Sequence, residues 1–339
     1  MSKLLKNFVG IDVSKLWFDA AVVKSNDVVQ SSHKQFSQNA EGFKKMVAWL
    51  TQQDVLLNDE TLFCMEYTGI YNTTLVSFLV KQKAQLWVEM PLRIKKSEGL
   101  QRGSNDKASA FKIALYAYRY QDVKQLWKPV DTSIERIKLL IAQRDRIINA
   151  ITQLKVPVQE LSECGCINEA KAMERIQRNS LRQLQKAKEN IENYIKEVVA
   201  ADTIITRRVN QVQSIHGIGP VTAIALLAYT KGFTSFDNAK QLACYCGVVP
   251  FSKSSGISIR YKSTVSPHAN KKLKKLLHLC ALSAIKNDKE IRVYFERKVA
   301  EGKNKMSVIN AVRNKLIQRV FAVIRDDRFY QQDYINKCA

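Results

Sequence analysis

The sequence predicts an α/β domain built on a mixed sheet, then a charge-laced helical linker, then a mostly helical C-terminal region. Three observations carry that expectation. Strand and helix periodicities alternate from residue 8 to about residue 120, the texture changes to charged helix from about 133 to 208, and glycine-marked turns punctuate a run of helices up to about 325.

The elements follow in order. FVGIDVS, FDAAVV and VVQSSHKQF, within residues 8 to 36, read as three strands, with Ser-Asn-Asp as turn chemistry between the second and third. An antiparallel meander follows from that. NAEGFKKMVAWLTQQ starts on a capping Asn and reads as a helix, and TLFCMEY as a buried strand. A helix from about Tyr71 to Gln82, the strand QLWVEM, the basic segment PLRIKKSEGLQRGSN and the helix DKASAFKIALYAYRY complete the order βββαβαβα.

In the linker, Ile134, Ile137, Ile141, Ile148 and Ile151 form one stripe of a helix that Pro157 is expected to end. Leu184, Ala187, Ile191, Tyr194 and Val198 recur at spacings of three and four, the seam of a coiled coil. An antiparallel hairpin, a dimerising arm, or a stripe packed on its own domain would each satisfy that pattern.

Composition narrows the partners. The chain has 339 residues, room for about two domains, and 46% hydrophobic content supports real cores. Its 54 Lys and Arg against 31 Asp and Glu give a net charge of +23, which points to a polyanionic partner, nucleic acid before membrane. No run approaches the roughly 18 apolar residues of a membrane span, and MSKLLKNFVGIDVSK has no signal-peptide core, so a cytosolic (cytoplasmic) protein is expected. Seven cysteines, an odd number in a long basic chain, read as reduced thiols. Cys164/Cys166 and Cys244/Cys246 are closer than the usual zinc spacing, so buried small hydrophobes are expected instead.

Several residues could carry chemistry. Asp12 sits in the apolar strand VGIDVS and Glu66 in the matching place of LFCMEYTG, where a carboxylate is costly unless paired or metal-bound. Asp106 opens a helix and could complete a set of hard oxygen ligands suited to Mg2+; by itself it also reads as a helix cap. Gly217 and Gly219 bracket a turn before Pro220, a helix start whose amides could grip a nucleic-acid backbone. Between Asn238 and Asn287 there are nine Lys and Arg and no acid, which favours phosphate contacts by Lys253, Arg260, Lys262, Lys271, Lys272, Lys274 and Lys275. Within FSKSSGISIRYK, residues 251 to 262, a nucleophile could be Ser252, Ser254, Ser255 or Ser258, and the residues alone leave that open.

FVGIDVSK, CMEYTGIY, RGSNDKASAFKIALYAY, SIHGIGPVTA, LACYCGVVPFSKSSGISIR and ANKKLKKLLHLCALSA, in this order from about 8 to 325, resemble the DEDD transposases of insertion-sequence family one-ten, relatives of Piv-type DNA invertases. The resemblance implies a RuvC-like, ribonuclease-H-type domain over 1–128, a coiled-coil linker over 129–209, a C-terminal transposase domain over 210–327 and a tail over 328–339. It implies a recombinase acting on double-stranded donor and target DNA, guided by a noncoding bridge RNA, with Mg2+ held by Asp12, Glu66 and Asp106. Ser255, before Gly256 and Arg260 in the motif S-G-x-x-x-R, matches the family's nucleophilic serine, expected to form a phosphoserine in a dimer assembling to a tetramer, where the serine of one subunit meets the acids of another. One departure stands out: DKASA puts Ser109 where the fourth acid belongs, three residues on and on the same helix face. A hydroxyl is a weaker ligand than a carboxylate, so metal affinity is expected to fall. The competing expectations are a magnesium-dependent nuclease or junction resolvase using the N-terminal acids alone, and a weakened nucleic-acid-binding relative.

Overall fold

Strands β1 (Asn7–Val13), β2 (Trp17–Lys24) and β3 (Asp27–Ser37) form the expected antiparallel meander in the computed structural model, which describes residues 4–97, 106–129, 131–255 and 259–331. The chain divides into two compact units, 1–129 and 130–339.

In the first unit, α1 (Ala40–Gln52), β4 (Thr61–Glu66), α2 (Thr73–Lys81) and β5 (Gln85–Glu89) follow the meander, then α3 (Pro91–Ser97) and α4 (Asp106–Arg119). The five strands lie in the order β3-β2-β1-β4-β5, with β1, β4 and β5 parallel. The sheet is mixed and helix-covered, as the sequence predicts. The short helix α3 is an addition, because Pro91 suits a first helical position that lacks an N–H partner anyway. β1 is apolar from Phe8 to Ile11 since both its faces are covered there. Val9, Ile11, Phe63 and Met65 pack with Met46, Leu50, Leu75 and Leu79 of α1 and α2, while Phe8, Leu62, Cys64 and Trp87 pack with Ile113, Ala114 and Ala117 of α4.

Gly10 makes the second contact possible. A Cβ there would lie 2.2 Å from the Ala110 oxygen and 2.2 Å from the Ala114 nitrogen, so only a residue without a side chain lets α4 approach β1 this closely.

The second unit begins with α5 (Thr132–Glu163) and α6 (Ile167–Ala200), which pair antiparallel across a turn at Gly165 (φ +85°) and are joined by Arg144 to Glu192 at 2.7 Å. Of the arrangements left open above, a hairpin within one chain is the observed one. Two expectations are corrected. Pro157 does not end α5, which runs on to Glu163; Pro157 and Gln153 are exposed, so the carbonyl freed at Gln153 can be hydrated while the opposite face packs on α6. Tyr194 is exposed and Ile195 is buried in its place, because a straight helix drifts from a strict heptad seam.

α7 (Thr203–Gln213), α8 (Pro220–Tyr229) and α9 (Ala239–Tyr245) lead to the hairpin β6 (Phe251–Ser255) and β7 (Ile259–Thr264), followed by α10 (Lys271–Asn287), α11 (Lys289–Ala300) and α12 (Lys305–Arg325). Asp202, Asn238, Asn270, Asp288 and Asn304 each cap a helix start with a side-chain oxygen. Ile137, Leu226, Leu273, Leu277, Val312 and Leu316 share one core, into which the root of the α5–α6 hairpin is built.

The described cysteines are free thiols. Of the Cys-x-Cys pairs, Cys246 is buried as expected and Cys244 is half-buried, but Cys164 and Cys166 are exposed at the hairpin turn; Cys64 and Cys280 are also buried. Among the described residues, no helix is long and apolar enough to cross a membrane.

Candidate active site

The parallel register of β1 and β4 runs up to Ile11 opposite Met65, so Asp12 and Glu66 are the next residues on neighbouring central strands. The two-residue period puts them on the face of Gly10 and Cys64, beneath α4. The Cys64 thiol is pushed up first by burial and then by the charges of Glu89 and Glu66, which places those carboxylates near it.

The row is longer than the sequence suggested. Asp12 lies opposite Asp19 of β2, and Glu66 opposite Glu89 of β5, so four carboxylates line up across four adjacent strands. Asp19, 3% exposed, is hydrogen-bonded to His33 Nε2 at 2.7 Å and accepts from Gln35 Nε2 at 3.1 Å. Glu89, 5% exposed, accepts from the Tyr116 hydroxyl at 3.2 Å, the Met90 amide at 2.7 Å and Arg93 Nη1 at 3.4 Å. Burial first, and then the charge of Glu89, drive the Tyr116 hydroxyl well above its ordinary value. The outer acids are thus hydrogen-bonded within the protein, and the half-buried central pair lies between them. Asp19 and Glu89 carried the same signal that singled out Asp12 and Glu66, a carboxylate inside an apolar strand.

Helix α4 runs antiparallel to β1. Ala110 and Ala114 sit on Gly10, and Tyr118 meets Phe8 edge-on at 5.3 Å, which puts the first turn of α4 at the Asp12 end. Asp106 is the first residue of that turn; its side chain lies outside the described residues. Ser109 is partly buried and seven residues before Tyr116, hence on the helix stripe that reaches Glu89. The oxygen-only donor set of Asp12 and Glu66 fits a hard divalent cation. Among the described residues, no group of three or more His, Cys, Asp or Glu is placed to hold a metal ion.

In the second unit, Ser254 pairs with Arg260, and Ser255 with Ile259, so Ser255 is the last residue of β6 and closes the hairpin ladder. Gly256 and Ser258 lie outside the described residues, as do the side chains of Lys253, Ser255, Arg260 and Lys262. Gly217 adopts φ +93°, and a Cβ there would lie 2.8 Å from Ala284 and from the Cys280 oxygen, so its glycine is required by packing on α10. Gly219 caps α8 and is open to solvent. Lys271 and Lys275 are exposed and Lys274 is half-buried, whereas Lys272 is already engaged by Asp145 and lies 5.5 Å over the Tyr229 ring.

The first unit thus holds a carboxylate row under a helix, and the second a hairpin whose first strand ends on Ser255. Residues 9–161 match the DEDD-type IS110 transposases, and residues 209–296 match the transposase family IS116/IS110/IS902. The chain belongs to the IS110 family of transposases, and it is a DNA transposase or recombinase. It is similar to the pilin gene-inverting proteins of Moraxella bovis and Moraxella lacunata, each 26% identical over 328 residues, covering 95% of this chain and 97% of the relative. An uncharacterized 43.6 kDa protein of insertion element IS110 from Streptomyces coelicolor is 35% identical over 118 residues, covering 35% of this chain and 29% of the relative. The solved structure of Thermus thermophilus RuvC aligns at 10% identity over 36% of this chain and 99% of its own, with a TM-score of 0.27, too low a correspondence to carry residue roles across.

Proposed function

We propose that the chain is an RNA-guided recombinase that cleaves and rejoins double-stranded DNA through a phosphoserine on Ser255. The Ser255 oxygen attacks the scissile phosphorus, its proton leaves to a base, the P–O3′ bond breaks and the departing 3′ oxygen is protonated. No base lies within the hairpin sequence, so activation must come from elsewhere. The observation that carries this reading is the row Asp19–Asp12–Glu66–Glu89 beneath α4, four carboxylates on one face of four adjacent strands with its two central members half-buried. Asp12, Glu66 and Asp106 would hold Mg2+, which supplies charge neutralisation at the phosphate. Lys253, Arg260 and Lys262 would bind around the reacting phosphate, and Gly217, Gly219, Lys271, Lys274 and Lys275 would contact nucleic acid. The reading assigns 1–128 to a RuvC-like domain, 129–209 to a coiled-coil linker and 210–327 to the domain of the serine. It also assigns a noncoding bridge RNA as guide, and a dimer that assembles to a tetramer in which one subunit's serine meets another's acids.

The test is a covalent adduct on a nicked recombination substrate, resolved on a denaturing gel. Ser255→Ala is expected to abolish it. An adduct that persists in Ser255→Ala and disappears in Ser254→Ala would move the nucleophile by one residue, and Mg2+-dependent hydrolysis without any adduct would favour a nuclease. Sequencing RNA that copurifies with the protein tests the guide: a discrete structured species supports it, and random cellular RNA removes it.

A further inference from the structure

Arg313 of α12 is 6% exposed, yet among the described residues no carboxylate pairs with it. The contrast with Asp288 in the same unit is instructive, for that buried charge is met by Arg319 at 2.7 Å. Arg313 donates from Nη1 to the Asn310 side-chain oxygen at 3.3 Å and from Nη2 to His278 Nδ1 at 2.7 Å; its Nε is buried with no acceptor among the described residues. An enclosed guanidinium with only neutral partners is costly unless something else supplies the opposing charge.

The surroundings show where that charge would come from. A guanidinium only donates, so His278 Nδ1 must accept and the imidazole proton must sit on Nε2, on the far side of the ring from Arg313. Burial and the Arg313 charge both hold His278 below its ordinary value, which keeps it neutral. Lys274, one turn earlier on α10, runs its chain past Gly247. Asn310, oriented by Arg313, donates to the Val248 carbonyl at 2.6 Å, and Val265 packs at Gly247, so the cluster lies at the root of the β6–β7 hairpin.

We infer that Lys274 and His278, backed by the buried charge of Arg313, bind a phosphodiester group of duplex DNA at the root of this hairpin. Lys274 and the His278 Nε2–H contact the phosphate; Arg313 is a positioning residue that fixes the tautomer and adds charge from behind. The inference rests on this unit handling DNA and not on which serine is the nucleophile, so the adduct assay and the binding series below fail independently.

The experiment is fluorescence anisotropy of the full chain with a short fluorescein-labelled DNA duplex over a KCl series. Lys274→Ala is expected to reduce the log–log salt slope by about 0.9, the loss of one phosphate contact. His278→Ala removes a neutral donor and is expected to weaken binding about tenfold at fixed salt with the slope unchanged. In the unaltered protein, two-bond 1H–15N correlations should show the Nε2–H tautomer of His278 and a shift of its signals on adding duplex; Arg313→Met should abolish the tautomer preference. Unchanged affinity and slope in Lys274→Ala and His278→Ala, or an Nδ1–H tautomer, would overturn the inference. Loss of binding to single-stranded RNA with duplex binding intact would equally overturn it and assign the cluster to RNA.

Discussion

Substituting Gly10 by alanine tests how the two halves of the acidic site are held together. The added Cβ would lie 2.2 Å from the Ala110 oxygen, 2.2 Å from the Ala114 nitrogen and 2.8 Å from the Ala114 Cα. Ordinary contact needs about 3.5 Å, so α4 must lift from β1 by about 1 Å. All three atoms are backbone and no side chain can swing aside, which places the cost at the upper end of the overpacking range, about 3 kcal/mol. The same displacement carries Asp106 and Ser109 away from Asp12 and Glu66, and a shift of about 1 Å at such a site can reduce turnover about 100-fold. Urea unfolding reads the first effect, and DNA strand cleavage under saturating Mg2+ together with Mn2+ affinity reads the second. An alanine variant with the original unfolding midpoint, Mn2+ affinity and cleavage rate would refute the close approach of α4 to β1.

Two further predictions concern charge. Burial alone would raise the Asp288 carboxyl, but the Arg319 hydrogen bond, the Ile291 amide and the charges of Arg319 and His216 outweigh it and hold the group below its ordinary value. Because the folded value is depressed, Asp288 contributes stability above the unfolded carboxyl value of about 3.9, and that contribution is lost as pH falls through the folded one. Asp288→Asn keeps a capping oxygen but leaves Arg319 only Glu290, at 2.5 Å, so it should cost about 3 kcal/mol at neutral pH, with the difference from the original protein shrinking on acidification. Denaturant unfolding across pH measures this, and equal midpoints at pH 7 would contradict it. Ser109→Asp adds a carboxylate on the helix stripe facing Glu89 and is expected to tighten Mn2+ binding about tenfold and raise Mg2+-dependent cleavage. Unchanged Mn2+ titrations and cleavage rates would remove the importance of that position.

Much of the first unit was legible from local signals. The apolar runs around Val9, Phe63 and Trp87 announce buried strands, since a strand covered on both faces cannot alternate. Asp12 and Glu66 stood out for the same reason, as charges where apolar residues are required. Other features were not readable locally. The break expected at Pro157 did not occur, since the proline and the carbonyl it frees at Gln153 lie on an exposed face and α5 runs on to Glu163. The seam residue Ile195 was missed by one position because a helix that packs without full supercoiling drifts off its heptad.

The sequence by itself determined the kinds of element, the sign of the net charge and the presence of Asp12 and Glu66 inside apolar strands, because propensity, periodicity and charge are properties of neighbouring residues. Only the tertiary structure decided that Asp19, Asp12, Glu66 and Glu89 form one row, and that Arg313 lies buried against His278. Strand register and helix contact are set by which distant surfaces exclude water together, and no local pattern names the partner.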